Sequence, residues 1–213
     1  NPVTLFVIAD SLENQEFCLW LKGVITEYSN RITIGCHGLT HKSWSAWPED
    51  AEQFSQSITQ AMEQISDFAG ENFRPWFRAP AGYMAPWMVA PLVDCGIIVD
   101  SSINDSILTR VKAGGGNTWQ QVRDTCQQVG LLEREWLTKW RLPVNGPALS
   151  LFPLSLIAQR AWKQLPPPLS AAELTKSVED ENTEIVTVYW HILDHSRRRG
   201  RWQPPITKSI LNH

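Results

Sequence analysis

Apolar residues along the chain fall into two patterns, short continuous runs and repeats with a helical spacing. Residues 3–8 are rich in β-branched and aromatic side chains, which is typical of a buried strand. In residues 49–69 the apolar positions recur at spacings of three and four, between Pro48 and Gly70, and this predicts an amphipathic helix. Other apolar runs predict further strands, of which the last is the clearest: 31–34, 76–78, 96–100, 141–144 and 184–190.

Helices are predicted between these strands. They cover the residues up to about 28, residues 86–94, and a short stretch that begins near residue 170. Strands that alternate with helices indicate parallel β/α units in an α/β fold. We expect a single domain over residues 1–213, with an irregular insertion around residues 105–183.

Four polar side chains stand at the ends of predicted strands, and these are His37, Arg78, Asp100 and His191. The carboxyl ends of parallel strands lie on the same face, and in parallel barrels that face builds the active site. We therefore expect one polar site assembled from residues that are far apart in the chain, although Asp100 by itself is expected to cap a turn.

Composition narrows the class of protein. The 213 residues carry 43% apolar and 19% charged side chains, which is typical of a globular domain, and a net charge of −3 gives no indication of a nucleic-acid partner. No apolar run reaches the roughly 18 residues of a membrane span, and no signal peptide is visible. Four cysteines without a CxxC pair favour buried free thiols, so a cytoplasmic location is expected.

The short stretch after the second predicted strand carries two of the five histidines, His37 and His41, which are four residues apart. Two imidazoles at the end of a strand can converge on a borderline-soft cation such as zinc. The alternative is a pair of surface histidines in a polar loop, because two ligands do not complete a metal site.

Short motifs follow one another in a recognisable order around these histidines. Residues 35–41 contain a histidine followed four residues later by another, and residues 77–82 read Phe-Arg-Ala-Pro-Ala-Gly. Residues 100–103 read Asp-Ser-Ser-Ile, and residues 188–191 end an apolar run with a histidine. In this order, and with residues 3–8 as a second strand, the chain resembles the polysaccharide deacetylase family, the NodB-type carbohydrate esterases.

The resemblance implies a distorted (β/α) barrel of about seven strands with one divalent metal ion, zinc. It also implies a metal-dependent hydrolase that removes acetyl groups from N-acetylated sugars or polysaccharide, so a carbohydrate is the expected partner. By this resemblance, His37 and His41 are metal ligands and Arg78 holds the base. His191 is the general acid, and the backbone N–H of Ala81 binds the oxyanion. Tyr83 and Trp87 line the sugar cleft. Core packing is the alternative for the last two, and His195 is the alternative acid.

The chain departs from the family in one respect. The family places its base and its third metal ligand on adjacent aspartates of the first strand, and residues 1–213 contain no Asp-Asp pair. Either the first strand is missing from this chain, or the chain is a catalytically inactive carbohydrate-binding relative, or Asp10 supplies the carboxylate. An open barrel edge and a buried Arg78 without a partner are both costly, which favours the missing strand. The basic run at residues 197–201 is expected to be a solvated loop, with steering of an anionic glycan as the alternative.

Overall fold

A parallel β-sheet forms the centre of the protein, and its strands lie side by side in the order in which they occur in the chain. The computed structural model describes residues 2–191. Each neighbouring pair of strands is parallel, so all the carboxyl ends lie at one edge of the sheet. The five strands are β1 (Val3–Val7), β2 (Ile32–Cys36), β3 (Phe73–Phe77), β4 (Val99–Asp100) and β5 (Leu132–Glu133).

Helices connect the strands and cover the sheet. Those of the described chain are α1 (Gln15–Glu27), α2 (Ala51–Ala69), α3 (Pro86–Asp94), α4 (Trp119–Val129), α5 (Leu154–Trp162) and α6 (Ala171–Glu179). Two further short strands, β6 (Thr138–Lys139) and β7 (Leu142–Pro143), form a separate antiparallel hairpin.

Most of the elements predicted for the first hundred residues are confirmed. β1 and β2 form at the predicted apolar runs, and β3 begins earlier than predicted, at Phe73. α2 covers the amphipathic repeat, and Asp50 is its N-cap, because its Oδ1 atom accepts a hydrogen bond from the Gln53 N–H at 3.0 Å.

The segment 105–183 is more regular than predicted. It contributes α4 and β5 to the main layers, and the α4 side chains Trp119 and Cys126 are buried in the main apolar core. α5 belongs to a second, smaller core around Trp162, whose indole N–H donates a hydrogen bond to the Val144 carbonyl at 2.8 Å.

The continuous strand predicted for residues 184–190 is wrong. Thr187 forms a single parallel bridge with Trp136, and its carbonyl accepts a hydrogen bond from the Leu137 N–H at 2.8 Å. Soon after this bridge the neighbouring chain turns into the β6–β7 hairpin. The segment therefore has no partner for a longer ladder among residues 2–191, and its high strand propensity does not produce a strand.

The short strands of residues 2–191 also do not form the predicted seven-stranded barrel. Five of them make the parallel sheet, and two make the hairpin beside it. The last apolar segment forms one bridge, with Trp136 beyond the end of β5, and the outer edge of β1 pairs with no other strand of the described chain. The α/β class with parallel strands is confirmed.

Glycine at position 35 lets β2 lie close to both of its neighbours. A Cβ atom at Gly35 would lie 2.8 Å from the Phe6 ring of β1 and 2.9 Å from the Trp76 carbonyl oxygen of β3. Both distances are shorter than a normal contact, so any larger side chain would push the strands apart. The direction in which the chain leaves β2 towards His37 therefore depends on this glycine.

The cysteines are free thiols, which agrees with the prediction, and Cys36 and Cys126 are buried. Burial raises the pKa of the Cys36 thiol to about 12 and raises that of Cys126 as well, so both are unreactive near neutral pH. Within residues 2–191, no helix combines the length and apolar character needed to cross a membrane.

Phe54 of α2 is the centre of an aromatic cluster below the carboxyl edge of the sheet. Its side chain is fully buried, and its ring meets those of Trp44, Phe77 and Trp87 edge to face, with centroids 5.4, 6.5 and 5.6 Å away. This geometry is favourable for aromatic pairs beyond the burial of their area. The cluster fixes α2 against β3, α3 and the loop that follows His41.

Substitution of Phe54 tests this packing. Phe54→Ala is expected to lower the free energy of unfolding by about 3–5 kcal/mol, because the cavity cannot close around three other rings. Urea unfolding followed by tryptophan fluorescence measures the change. Gln60→Ala, at an exposed position of the same helix, is the control and is expected to change it by no more than about 0.5 kcal/mol. Similar losses for the two variants would contradict the central position of Phe54.

Candidate active site

The carboxyl ends of four neighbouring strands carry the polar residues of the candidate site. His37 follows β2, Arg78 follows β3, Asp100 ends β4 and Glu133 ends β5. Because these strands are adjacent and parallel, the four residues lie along one edge of the sheet. The structure thus brings together three residues that the strand ends predicted. Glu133 is absent from the predicted site because its strand has only two residues and follows no strong apolar run.

His37 is held by the backbone of the neighbouring strand end. Its Nδ1 atom lies 2.6 Å from the Arg78 carbonyl oxygen. A carbonyl only accepts, so Nδ1 carries the proton and Nε2 keeps its lone pair. Burial lowers the pKa of His37 to about 4, and the nearby charges of Arg78, His41 and His191 add to this shift. His37 is therefore neutral near pH 7, the state in which an imidazole binds a metal.

His41 lies beside His37, with the ring centroids 5.4 Å apart and the ring planes at 71°. His41 is exposed, and two imidazoles are a donor set that zinc accepts. Within residues 2–191 no third histidine, cysteine or carboxylate completes a group able to hold a metal ion. Asp10 is exposed in the 3-10 turn that follows β1 and does not join the pair. The two imidazole nitrogens are suitable donors for a metal ion, but two ligands from residues 2–191 are too few for a complete site.

Arg78 is buried, with 8% of its surface exposed. Its Nη1 atom donates a hydrogen bond to the Ser101 carbonyl at 2.8 Å, and its guanidinium carbon lies 3.8 Å from the centroid of the Tyr189 ring. Burial lowers the pKa of Arg78, whereas Tyr189, Asp100 and Glu133 raise it. An arginine remains charged in such surroundings, so this is a permanent buried cation.

Tyr189 connects the end of the described chain to Arg78. Its ring packs against Trp136 with centroids 4.7 Å apart and against His191 with centroids 5.5 Å apart. The Tyr189 N–H donates a hydrogen bond to Oδ1 of Asn145 at 3.2 Å. These contacts bring His191, which is exposed, towards the sheet edge although its segment is not a strand. Trp136 lies in none of the motifs, and Tyr189 lies in the motif 188–191 without an expected role, so their contacts are what reveal both residues.

The remaining residues carried over from the motifs have different surroundings. Ala81 is exposed and has a left-handed backbone with φ 54°, and its carbonyl accepts a hydrogen bond from Nζ of Lys112 at 2.7 Å. Tyr83 is half-buried beneath the same ammonium group, 5.4 Å from its ring centroid. Trp87 packs against Phe54 and the main apolar core, which corresponds to the alternative of core packing. His195 and the basic run at 197–201 lie outside the described residues.

Asp100 and Glu133 are buried carboxyl groups in adjacent strands. The Ser102 N–H and hydroxyl donate hydrogen bonds to Asp100 at 3.0 and 2.5 Å, so Asp100 caps a turn as predicted. Burial raises the pKa of Asp100, and hydrogen bonds from Glu133 and Ser102 oppose the rise. Burial and the negative charge of Asp100 together raise the pKa of Glu133 well above its ordinary value.

Comparison with known proteins identifies the N-terminal part of the chain. No curated protein matches the chain significantly. A family profile described as Polysaccharide deacetylase matches residues 1–97. The matched range contains β1 to β3, the pair of His37 and His41, and the turn 77–82 that begins with the end of β3. Residues 1–97 of this chain are therefore similar to the polysaccharide deacetylase family, as the order of the motifs predicts.

Proposed function

We propose that the protein is a metal-dependent hydrolase that removes acetyl groups from N-acetylated sugars or polysaccharide by breaking the amide C–N bond. The single observation that carries this proposal is the state of His37, a neutral imidazole whose Nδ1–H is fixed by the Arg78 carbonyl. A ligand histidine is commonly oriented in this way by a hydrogen bond from its other ring nitrogen. The family of residues 1–97 supports a deacetylase as the class of enzyme.

The proposed metal site uses His37 and His41 as two of its ligands, and zinc suits their chemistry. The third ligand is proposed to be a carboxylate outside residues 2–191. The outer edge of β1, which is unpaired in the described chain, is the proposed position of the strand that would carry this ligand. When bound, a divalent cation polarises the acetamide carbonyl and acidifies a water molecule.

The proposed roles of the other residues follow from their positions. His191 lies close enough to His37 for its charge to lower the pKa of His37, and it is proposed to protonate the departing amine. The N–H of Ala81, an exposed residue in the left-handed turn after Arg78, is the proposed donor to the oxyanion. Tyr83 follows in the same turn and is proposed to line the sugar cleft.

Metal binding is the first test. His37→Ala and His41→Ala are each expected to weaken zinc binding by about 100-fold or more. Loss of a residue that only hydrogen-bonds to a metal ligand already lowers the affinity about 10–100-fold, and loss of the ligand itself should have a larger effect. Isothermal titration of the metal-free protein with zinc measures the affinity. His191→Ala is the control and should change the affinity by no more than about threefold, since the expected acid is not a ligand. Unchanged binding in both ligand variants would contradict the metal site.

Catalysis is tested with an N-acetylated oligosaccharide, by measuring the release of acetate. His191→Ala is expected to lower kcat by about 10²–10⁴-fold with little change in KM, which is the usual effect of losing a general acid. Gln60→Ala is the control. It changes an exposed residue of α2 that is not part of the candidate site, and it is expected to keep full activity. Binding of the oligosaccharide without acetate release by the unmodified protein would instead favour the catalytically inactive, carbohydrate-binding alternative.

The neutral state of His37 is expected to be visible in its titration. In the metal-free protein, NMR should give His37 a pKa of about 4, lowered from 6.5. The native state then binds this proton less readily than the unfolded chain. The stabilising contribution of neutral His37 is thus complete above about pH 6.5 and is lost as the pH falls towards about 4. A titration of His37 at its ordinary pKa would show that its ring is not held as described.

A further inference from the structure

Asp100 and Glu133 form a pair of carboxyl groups inside the protein. They are direct partners in the parallel pairing of β4 and β5, where neighbouring strands lie about 4.8 Å apart. Asp100 is fully buried, and both carboxyl oxygens of Glu133 are buried as well. Two negative charges so close together and away from solvent repel strongly, so the two groups cannot both be ionised.

The hydrogen-bond donors around the pair are unevenly distributed. Asp100 accepts both the N–H and the hydroxyl of Ser102. Within residues 2–191, no donor makes a well-formed hydrogen bond to either oxygen of Glu133. An ionised Glu133 would leave two buried acceptors unsatisfied, whereas a protonated Glu133 has its own O–H, which can be donated to Asp100.

We propose that Asp100 and Glu133 share one proton, held mainly on Glu133, and that the single negative charge of the pair balances the buried cation of Arg78. In the described chain no carboxylate forms a direct ion pair with Arg78. Its guanidinium instead contacts the Ser101 carbonyl and the face of the Tyr189 ring. Asp100 and Glu133 lie at the ends of β4 and β5, and the negative charges of both raise the pKa of Arg78.

The pair acts on the site through Arg78, so its members are positioning residues. The Arg78 carbonyl orients His37, and the Arg78 side chain carries the Tyr189 ring that packs against His191. A shift of the guanidinium would therefore disturb both sides of the candidate site. This arrangement is a property of the folded chain whether or not the site hydrolyses an acetamide.

The electrostatic surroundings support one shared proton. Burial is the main cause that raises the pKa of Glu133, the charge of Asp100 adds to the rise, and the backbone of Ile103 opposes it. Charged and titratable groups face the pair from every element around it. These groups are Arg78 after β3, Cys126 and Arg123 on α4, and Glu135 after β5.

A double-mutant cycle tests whether one charge suffices. Asp100→Asn and Glu133→Gln are each expected to raise the unfolding equilibrium constant by no more than about tenfold, because the other residue keeps the charge. The double variant is expected to raise it by about 10²–10³-fold, since Arg78 then has no counter-charge among residues 2–191. Urea unfolding at neutral pH measures all three. If the double variant does not fold while both single variants do, the proposal is supported. If each single variant is severely destabilised and the double variant is no less stable than they are, the proposal is overturned.

A matched control uses the neighbouring glutamate. Glu135 accepts two hydrogen bonds from Arg123 at 2.5 and 2.7 Å, at a partly exposed position. Asp100→Asn combined with Glu135→Gln should give the product of the two single effects, because Glu135 does not replace the missing charge. Coupling of Asp100 to Glu135 as strong as to Glu133 would overturn the specific pairing.

Two further readouts separate a shared proton from a purely structural role. Infrared spectra of protein with ¹³C-labelled glutamate should show a protonated carboxyl group at neutral pH, and Glu133→Gln should remove it. Because native Glu133 binds its proton more tightly than the unfolded chain, its stabilising effect is complete below about pH 4.5 and declines as the pH rises. Glu133→Gln should therefore gain stability relative to the unmodified protein as the pH rises from about 5 to about 8. Absence of the protonated band and a pH-independent difference would overturn the proposal.

Discussion

The buried positive charge of Arg78 is the constraint on which the candidate site depends. An unbalanced cation in the interior would cost several kcal/mol, so the surrounding elements must supply negative charge, acceptors and polarisable rings. β4 and β5 supply the carboxyl pair, the chain after β4 supplies the Ser101 carbonyl, and the last described segment supplies Tyr189. Each of these contributions also ties a separate part of the chain to the end of β3.

Some residues of the candidate site could be predicted, because their positions depend only on the sequence pattern of neighbouring residues. Strand ends follow from short apolar runs, and the end of β2 leads directly to His37, just as the end of β3 leads to Arg78. The spacing of His37 and His41 was readable in the same way. Each of these signals needs only a few neighbouring residues, and this is why the order of motifs led to the family of residues 1–97.

The unpredicted part depends on pairing between distant residues. Glu133 is significant because β5 places it beside Asp100, and a strand of two residues leaves almost no trace in hydrophobic periodicity. The opposite error occurs at residues 184–190, where strong β propensity meets only one bridging partner in the described chain. β propensity expresses how well a side chain fits a sheet, and it says nothing about whether a neighbouring strand is present.

Within residues 2–191, the attachment of residues 184–191 has a consequence for the hydration of the site. β1, β2 and β3 are strands of five residues each, whereas residues 184–191 form one bridge and few backbone hydrogen bonds with the rest of the described chain. Regions with few backbone hydrogen bonds open locally at a lower free energy than the rest of a protein. Such an opening lifts Tyr189 from Arg78 and exposes the guanidinium to water while the sheet stays folded. Occupancy of the cleft by a ligand that rests on this segment would keep the cation dry, so ligand binding and the dehydration of Arg78 are thermodynamically linked.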